Sequence, residues 1–248
     1  MINQFQNSTK KVLVFSAHPD DHLCCAGTLM FLKDKGFEVQ EVVATGGEKG
    51  PWWISGTEKK SDFNKKELQK ERKKEISEAE KIIGISKTIF LGLPDSKIIR
   101  DPKIIEKIVG IIRKERPEVV FILNQEDYHC DHREFSKIAL EALEKASWHY
   151  LPEKGESWRV PLVFLMEWSC LNKPQIIVDI TPYVRKKEQL IDIYKSQINF
   201  RKRKLLESIN FYRAYLTRNE KILSAEAFEI PEGFSVCLNR IIEIFNND

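Results

Sequence analysis

His18, Asp20 and Asp21 crowd into the stretch AHPDD, with His22 directly behind them, and His129, Asp131 and His132 form a second group in NQEDYHCDH. A solvent-facing turn could use one Asp as a cap and a Pro for stiffness, but not this density of metal-capable side chains. A catalytic zinc takes three protein ligands of the His, Asp or Glu kind and keeps a fourth position for water. His18, Asp21 and His132 complete that set. Imidazole with carboxylate suits zinc, or ferrous iron as the alternative, over magnesium or calcium. Asp20, next to a ligand but not needed as one, is placed to take a proton from water as general base. His129, held by Asp131, could be an imidazolium that stabilises an oxyanion or protonates a leaving amine. The chemistry this predicts is hydrolysis of a carbonyl substrate.

Taken singly, each residue has a plainer account. Asp131 with Glu134 makes a capping pair for the helix that follows, and Asp20 or Asp21 could cap an earlier one. Capping leaves His18, His129 and His132 unexplained, which shifts the balance toward a site. Cys24 and Cys25 fall on a helix flank, where small buried hydrophobes are ordinary. TGGEKGPWW, residues 45–53, has glycines but not the spacing of a phosphate loop, and reads as a loop bordering the site. Trp52 and Trp53 suit a sugar face or a contact between subunits equally. The basic run RKRKLL, residues 201–206, reads as a solvated helix face.

Two distant clusters work together only if the fold joins them. Short β-branched and aromatic runs (VLVFSA, VQEVVAT, TIFLGL, EVVFILN, LVFLMEW and QIIVDI) alternate with longer amphipathic segments. That pattern predicts an α/β, Rossmann-like three-layer sandwich, with a mostly parallel sheet and helices on both faces. HLCCAGTLMFLKDKG predicts a helix with an Asp N-cap and Gly36 as its stop. A long charged helix is expected over about residues 61–83, closed by Gly84. Asp101 and Pro102 open a further helix that Pro117 ends, and Thr181 with Pro182 opens a helical C-terminal region. AHPDD follows the first strand and NQEDYHCDH the fourth. Open α/β sheets bind ligands at that edge, where the strand order reverses.

The chain has 248 residues, 31% of them charged, with a formal net charge of +3. Acid and base nearly cancel, so neither a nucleic-acid nor a membrane field follows. No repeat or linker divides the sequence, and one domain over residues 1–248 is expected. Five cysteines, odd in number and without C-x-x-C spacing, predict reduced thiols and a cytoplasmic location. The first apolar run, residues 12–15, is too short for a signal-peptide core or a membrane span.

AHPDD with the distal H-x-D-H resembles the zinc-dependent N-acetylglucosaminyl-phosphatidylinositol deacetylase family, also called PIG-L or LmbE-like. The family removes N-acetyl groups from glucosamine-containing compounds. The resemblance extends to TGGE, to RKKE at residues 72–75, to LGLPD ending at Asp95, to YKSQ at residues 194–197, and to SAEAFEI. It implies His18, Asp21 and His132 as zinc ligands, Asp20 as base, and His129 as the charged partner of the oxyanion, oriented by Asp131. It further implies that Glu48, Arg72 and Asp95 point toward sugar hydroxyls, that the substrate is an amino-sugar small molecule or oligosaccharide, and that the protein is a homo-oligomer. The chain departs from the family pattern at His22, where Glu is usual, at Cys130, where Pro is frequent, and at Tyr194, where His is usual. His22 could stand behind a ligand or replace one. The expected reaction is zinc-dependent N-deacetylation. The alternatives are an amidase of glucosamine-containing thiol conjugates, and a non-catalytic binding module whose metal His22 or Cys130 would close as a fourth ligand.

Overall fold

Strands covered on both faces must be apolar almost throughout, and VLVFSA, EVVFILN and LVFLMEW meet that requirement most fully. Residues 9–50 and 65–245 are described by a computed structural model. Strands β1 (Lys11–Ser16), β2 (Glu38–Thr45), β3 (Ile85–Leu93), β4 (Val119–Leu123) and β5 (Leu162–Met166) form one parallel sheet in the order β3-β2-β1-β4-β5. β4 and β5 are buried along their whole length, whereas β3, at the edge, is mostly open.

Helix α1 (Ala26–Asp34) leads from β1 to β2, and α2 (Lys65–Ile83) enters β3. Helix α3 (Pro102–Glu115) returns the chain to β4, and α4 (Cys130–Ala146) follows it. Helix α5 (Val184–Ile193) packs on α1 and α2, while α3 packs on α4. Right-handed crossovers place these two groups on opposite faces, which gives the expected α/β class. The order reverses between β1 and β4. Phe15 lies opposite Ile122 there, so the two predicted clusters leave the sheet side by side.

Local signals behaved as their chemistry requires in α3. The Asp101 carboxylate accepts the Lys103 N–H at 2.9 Å, Pro102 takes the first helical position, and Arg116 ends the helix in the left-handed region ahead of Pro117. Helix α1 differs from expectation. Asp21–Cys24 form a short 3-10 turn, the α-helix begins only at Ala26, and neither Asp20 nor Asp21 caps it. The cap comes from Glu226, whose two oxygens accept the N–H groups of Gly27 (2.9 Å) and Thr28 (2.8 Å), with Lys187 Nζ at 2.6 Å. A remote carboxylate at the positive end of α1 thus frees both aspartates for the site.

The C-terminal region also needs correction. QIIVDI forms β6 (Ile176–Asp179) outside the parallel sheet, paired antiparallel with β7 (Ala225–Phe228) from SAEAFEI. β7 lies between α6 (Phe200–Leu216) and α7 (Leu238–Phe245), so the region after Thr181 is not all helical. AEAF is too short to show a strand period. Trp52, Trp53 and the expected start of α2 lie outside the described residues.

Candidate functional site

The turn after β1 and the loop after β4 bring the two clusters into contact. His18 Nδ1 lies 3.2 Å from His132 Nε2, His132 Nε2 lies 3.2 Å from Asp21 Oδ1, and His18 Nδ1 lies 3.7 Å from Asp21 Oδ2. Tetrahedral zinc with bonds near 2.1 Å sets its donor atoms roughly 3.4 Å apart. His18, Asp21 and His132 therefore fit a zinc ion in donor chemistry and in spacing. The His18, His129 and His132 nitrogens also converge within 4.8 Å, as do ligand atoms of His18, Asp95 and Asp131.

The supports behind these rings are carboxylates, as in most histidine metal sites. His132 Nδ1 faces Asp127 Oδ1 at 3.0 Å, and Asp127 is itself held by the N–H groups of His129 (2.8 Å) and Ser169 (3.0 Å). His18 Nε2 faces Asp131 Oδ2 at 3.3 Å and Asp95 Oδ1 at 3.6 Å. Burial alone would lower both imidazole pKa values, but the surrounding carboxylates raise His18 to about 9 and His132 to about 10. Asp21 is buried, yet the charge of His132 and its hydrogen bonds hold its pKa well below the usual range. Metal ligation needs neutral imidazoles, so a cation that enters here competes with protons for the His18 and His132 nitrogens.

Asp20 stands beside this set with one partner of opposite charge. Arg72 Nη2 donates to its Oδ1, and Arg72 Nη1 donates to the Gly47 carbonyl at 3.2 Å. Gly47 has φ +63°, and a Cβ there would sit 2.3 Å from Arg72 Nη1, so TGGE needs glycine both for its backbone and for the guanidinium. Arg72 is 2% exposed, engages Asp20 and is among the residues that line the cavity. Asp95 lines the cavity, its carboxylate braced by the Lys49 N–H at 2.6 Å. Glu48 does not line it; its carboxylate accepts the Asp95 N–H at 3.2 Å.

His129 and Asp131 are linked differently from the sequence expectation. The Asp131 backbone N–H donates to His129 Nδ1 at 3.2 Å, so His129 caps α4, while the Asp131 carboxylate serves His18 and accepts the Ser96 N–H at 2.6 Å. With Nδ1 accepting, the ring proton sits on Nε2. Burial, and then the charges of His18 and His132, lower the His129 pKa, which favours a neutral N–H donor over the expected imidazolium. His22 is not a ligand, because Glu41 and Tyr194 take its two nitrogens. Cys24 and Cys25 are buried, and burial pushes both thiols well above the ordinary value, against a nucleophilic role.

The cavity over the site has a volume of about 280 Å³, lined by His18, Asp20 and His129 together with Tyr128, Trp168 and Lys202. A larger groove, about 1480 Å³, runs between α4 and the chain around Phe234 but brings no histidine or metal-ligand cluster with it. Asp127 and Glu41 escaped the sequence reading. Asp127 sits inside NQEDYHCDH, and Glu41 is a carboxylate in the middle of a strand, next to Val42 and Val43; either was a usable signal.

Comparison with known proteins identifies the family. The family model described as GlcNAc-PI de-N-acetylase (PIG-L) matches residues 13–143, more than half of the chain. Diacetylchitobiose deacetylase of Thermococcus kodakarensis is 28% identical over 208 residues, 79% of this chain and 73% of that protein. A probable N-acetyl-α-D-glucosaminyl L-malate deacetylase of Bacillus cereus is 29% identical over 140 residues, 55% of this chain and 62% of that protein, under two thirds of its length. The solved structure of N,N'-diacetylchitobiose deacetylase from Pyrococcus horikoshii superposes with a TM-score of 0.78 at 25% identity, over 97% of this chain and 92% of that one. With its AHPDD turn and distal H-x-D-H drawn to one point at the reversal of strand order, the chain belongs to the PIG-L deacetylase family.

Proposed function

We propose that the protein is a zinc-dependent N-deacetylase that hydrolyses the acetamide of an N-acetylglucosamine-containing small molecule or oligosaccharide to acetate and a free amine. The observation that carries this reading is the convergence of His18, Asp21 and His132 with a separate, arginine-held Asp20 at their side. His18, Asp21 and His132 would hold the metal, which when bound supplies Lewis-acid polarisation and acidifies water. Asp20 accepts the proton of the attacking water, and Arg72, donating to its Oδ1, aims that carboxylate. The Nε2–H of His129 donates to the oxygen on which charge develops. Asp127 fixes the His132 ring, and Asp131 with Asp95 fixes the His18 ring.

The printed names of the relatives, diacetylchitobiose and N-acetylglucosaminyl malate deacetylases, support an amino-sugar substrate. A closed metal site in a binding module would need a fourth ligand; the fully buried His22 is committed elsewhere, and Cys130 is exposed with its thiol 3.8 Å from Asp131 Oδ1. We further place the protein as a single domain in the cytoplasm, on the odd set of unpaired cysteines, and as a homo-oligomer, on the exposed Phe211, Tyr215 and Leu216 of α6. Acetate release from a panel of N-acetylglucosamine compounds tests the activity. Release of a larger acyl group from thiol conjugates, without acetate from simple sugars, would favour the amidase instead.

A further inference from the structure

YKSQ has no part in the chemistry above, yet it grips the elements that carry it. The Ser196 N–H and hydroxyl donate to Glu75 of RKKE at 2.8 and 2.6 Å, and a Cβ on Gly50 would meet Gln197 at 2.5 Å. Tyr194 reaches furthest. It is fully buried at the end of α5, its hydroxyl donates to the Pro19 carbonyl at 2.9 Å, and it lies 2.8 Å from His22 Nε2. A phenol has one proton, so with that proton on Pro19 its oxygen accepts the Nε2–H of His22. The other nitrogen of His22 lies 3.0 and 3.2 Å from the two oxygens of Glu41, which also accepts the Ser16 hydroxyl at 2.5 Å.

These contacts make a closed loop around the turn. Ser16 ends β1, Glu41 lies in β2, and Tyr194 returns the chain of bonds to Pro19 between His18 and Asp20. The Pro19 carbonyl and the Asp20 nitrogen belong to one planar peptide, so fixing that oxygen fixes the plane from which Asp20 projects. His18 and Asp21 are tied to each other across the same turn, the His18 N–H donating to the Asp21 carboxylate at 2.8 Å. A turn held at its middle in this way presents base and ligands in one orientation.

We propose that Tyr194 is a positioning residue for the reaction, acting on Asp20, His18 and Asp21 through the Pro19 carbonyl, and that His22 acts through Tyr194. The proposal rests on the metal-hydrolase reading of the site. Tyr194→Phe removes one oxygen and leaves the ring in place. Per zinc-loaded site, it should lower kcat by about 10-fold with KM for the acetylated sugar unchanged, and weaken zinc by about 10-fold in chelator competition. Tyr183→Phe also deletes a hydroxyl, one bonded to Asp34 at 2.8 Å, and should leave both quantities at the wild-type level. His22→Gln should reproduce the loss, and the double variant should lose no more than the larger single one.

A folded Tyr194→Phe protein with a lower Tm but kcat and zinc affinity within about 2-fold of wild type overturns the proposal, because loss of packing alone predicts that result. If Tyr194→Phe does not fold, His22→Gln decides by the same two readouts. If the wild type binds zinc but releases acetate from nothing, the deacetylase reading fails and zinc affinity alone judges Tyr194. If the wild type binds no metal, both fall together.

Discussion

His18 and His22 stand four residues apart on one turn, each buried and each beside carboxylates, and they have opposite fates. The Nδ1 of His18 points at another imidazole and at a carboxylate that also faces that imidazole, so three possible ligands converge. Both nitrogens of His22 meet partners able to satisfy them fully, a carboxylate on one side and a phenol on the other. Burial makes both rings costly unless paired, so burial does not separate ligand from brace. Convergence of acceptors does. His22 and Tyr194, where the chain departs from the pattern the resemblance implies, touch each other at 2.8 Å.

Substitutions sharpen that contrast in a graded series. His132→Ala should abolish stoichiometric zinc binding, read by metal analysis after gel filtration, and with it all acetate release. Asp20→Asn should keep zinc while kcat falls by about 10³-fold, because it removes the proton acceptor and not a ligand. Arg72→Gln should fall between base loss and wild type, lowering kcat by about 10–100-fold; an unchanged kcat would mean that Arg72 does not aim Asp20. Far from the site, at the other end of the sheet, Glu115 bridges Lys11 and Lys87, each at 2.8 Å, and accepts Gln40 at 3.0 Å. Burial would raise the pKa of Glu115, but these partners lower it to about 2. A depressed carboxylate stabilises the fold above its unfolded pKa, near 4.5, and loses that contribution as pH falls from there toward 2. Glu115→Gln should therefore cost about 1–2 kcal/mol at pH 7 and almost nothing below the folded pKa, with activity per folded molecule unchanged. A pH-independent difference in denaturant unfolding would show that the charge of Glu115 is not what matters.

What the sequence exposes is what neighbouring residues decide. AHPDD and NQEDYHCDH carry their donors within a few positions, and the apolar runs of β1, β2, β4 and β5 announce strands buried on both faces. What it hides is partner choice across long separations. Glu226 caps a helix 199 positions away, which no capping rule along the chain could find. Asp131 sits next to His132 and two residues from His129, so a local reading assigns it to His129, but its carboxylate crosses to His18 on another loop. Arg72 carries a charge that suits a sugar or a carboxylate equally, and only the fold brings Asp20 to it. β7 stayed unread because only four residues, two of them alanines, pair with a strand that is itself only half buried.

Whether the converged donors form a hydrolytic metal site is tested most directly by acetate release. Metal-stripped protein would be given diacetylchitobiose and N-acetylglucosaminyl malate, with and without an equivalent of zinc, beside Asp20→Asn. Release that appears only with zinc, and is lost in Asp20→Asn although that variant still binds the metal, is the expected result. Stoichiometric zinc binding with no acetate from any N-acetylglucosamine compound, or equal release by Asp20→Asn, would contradict it.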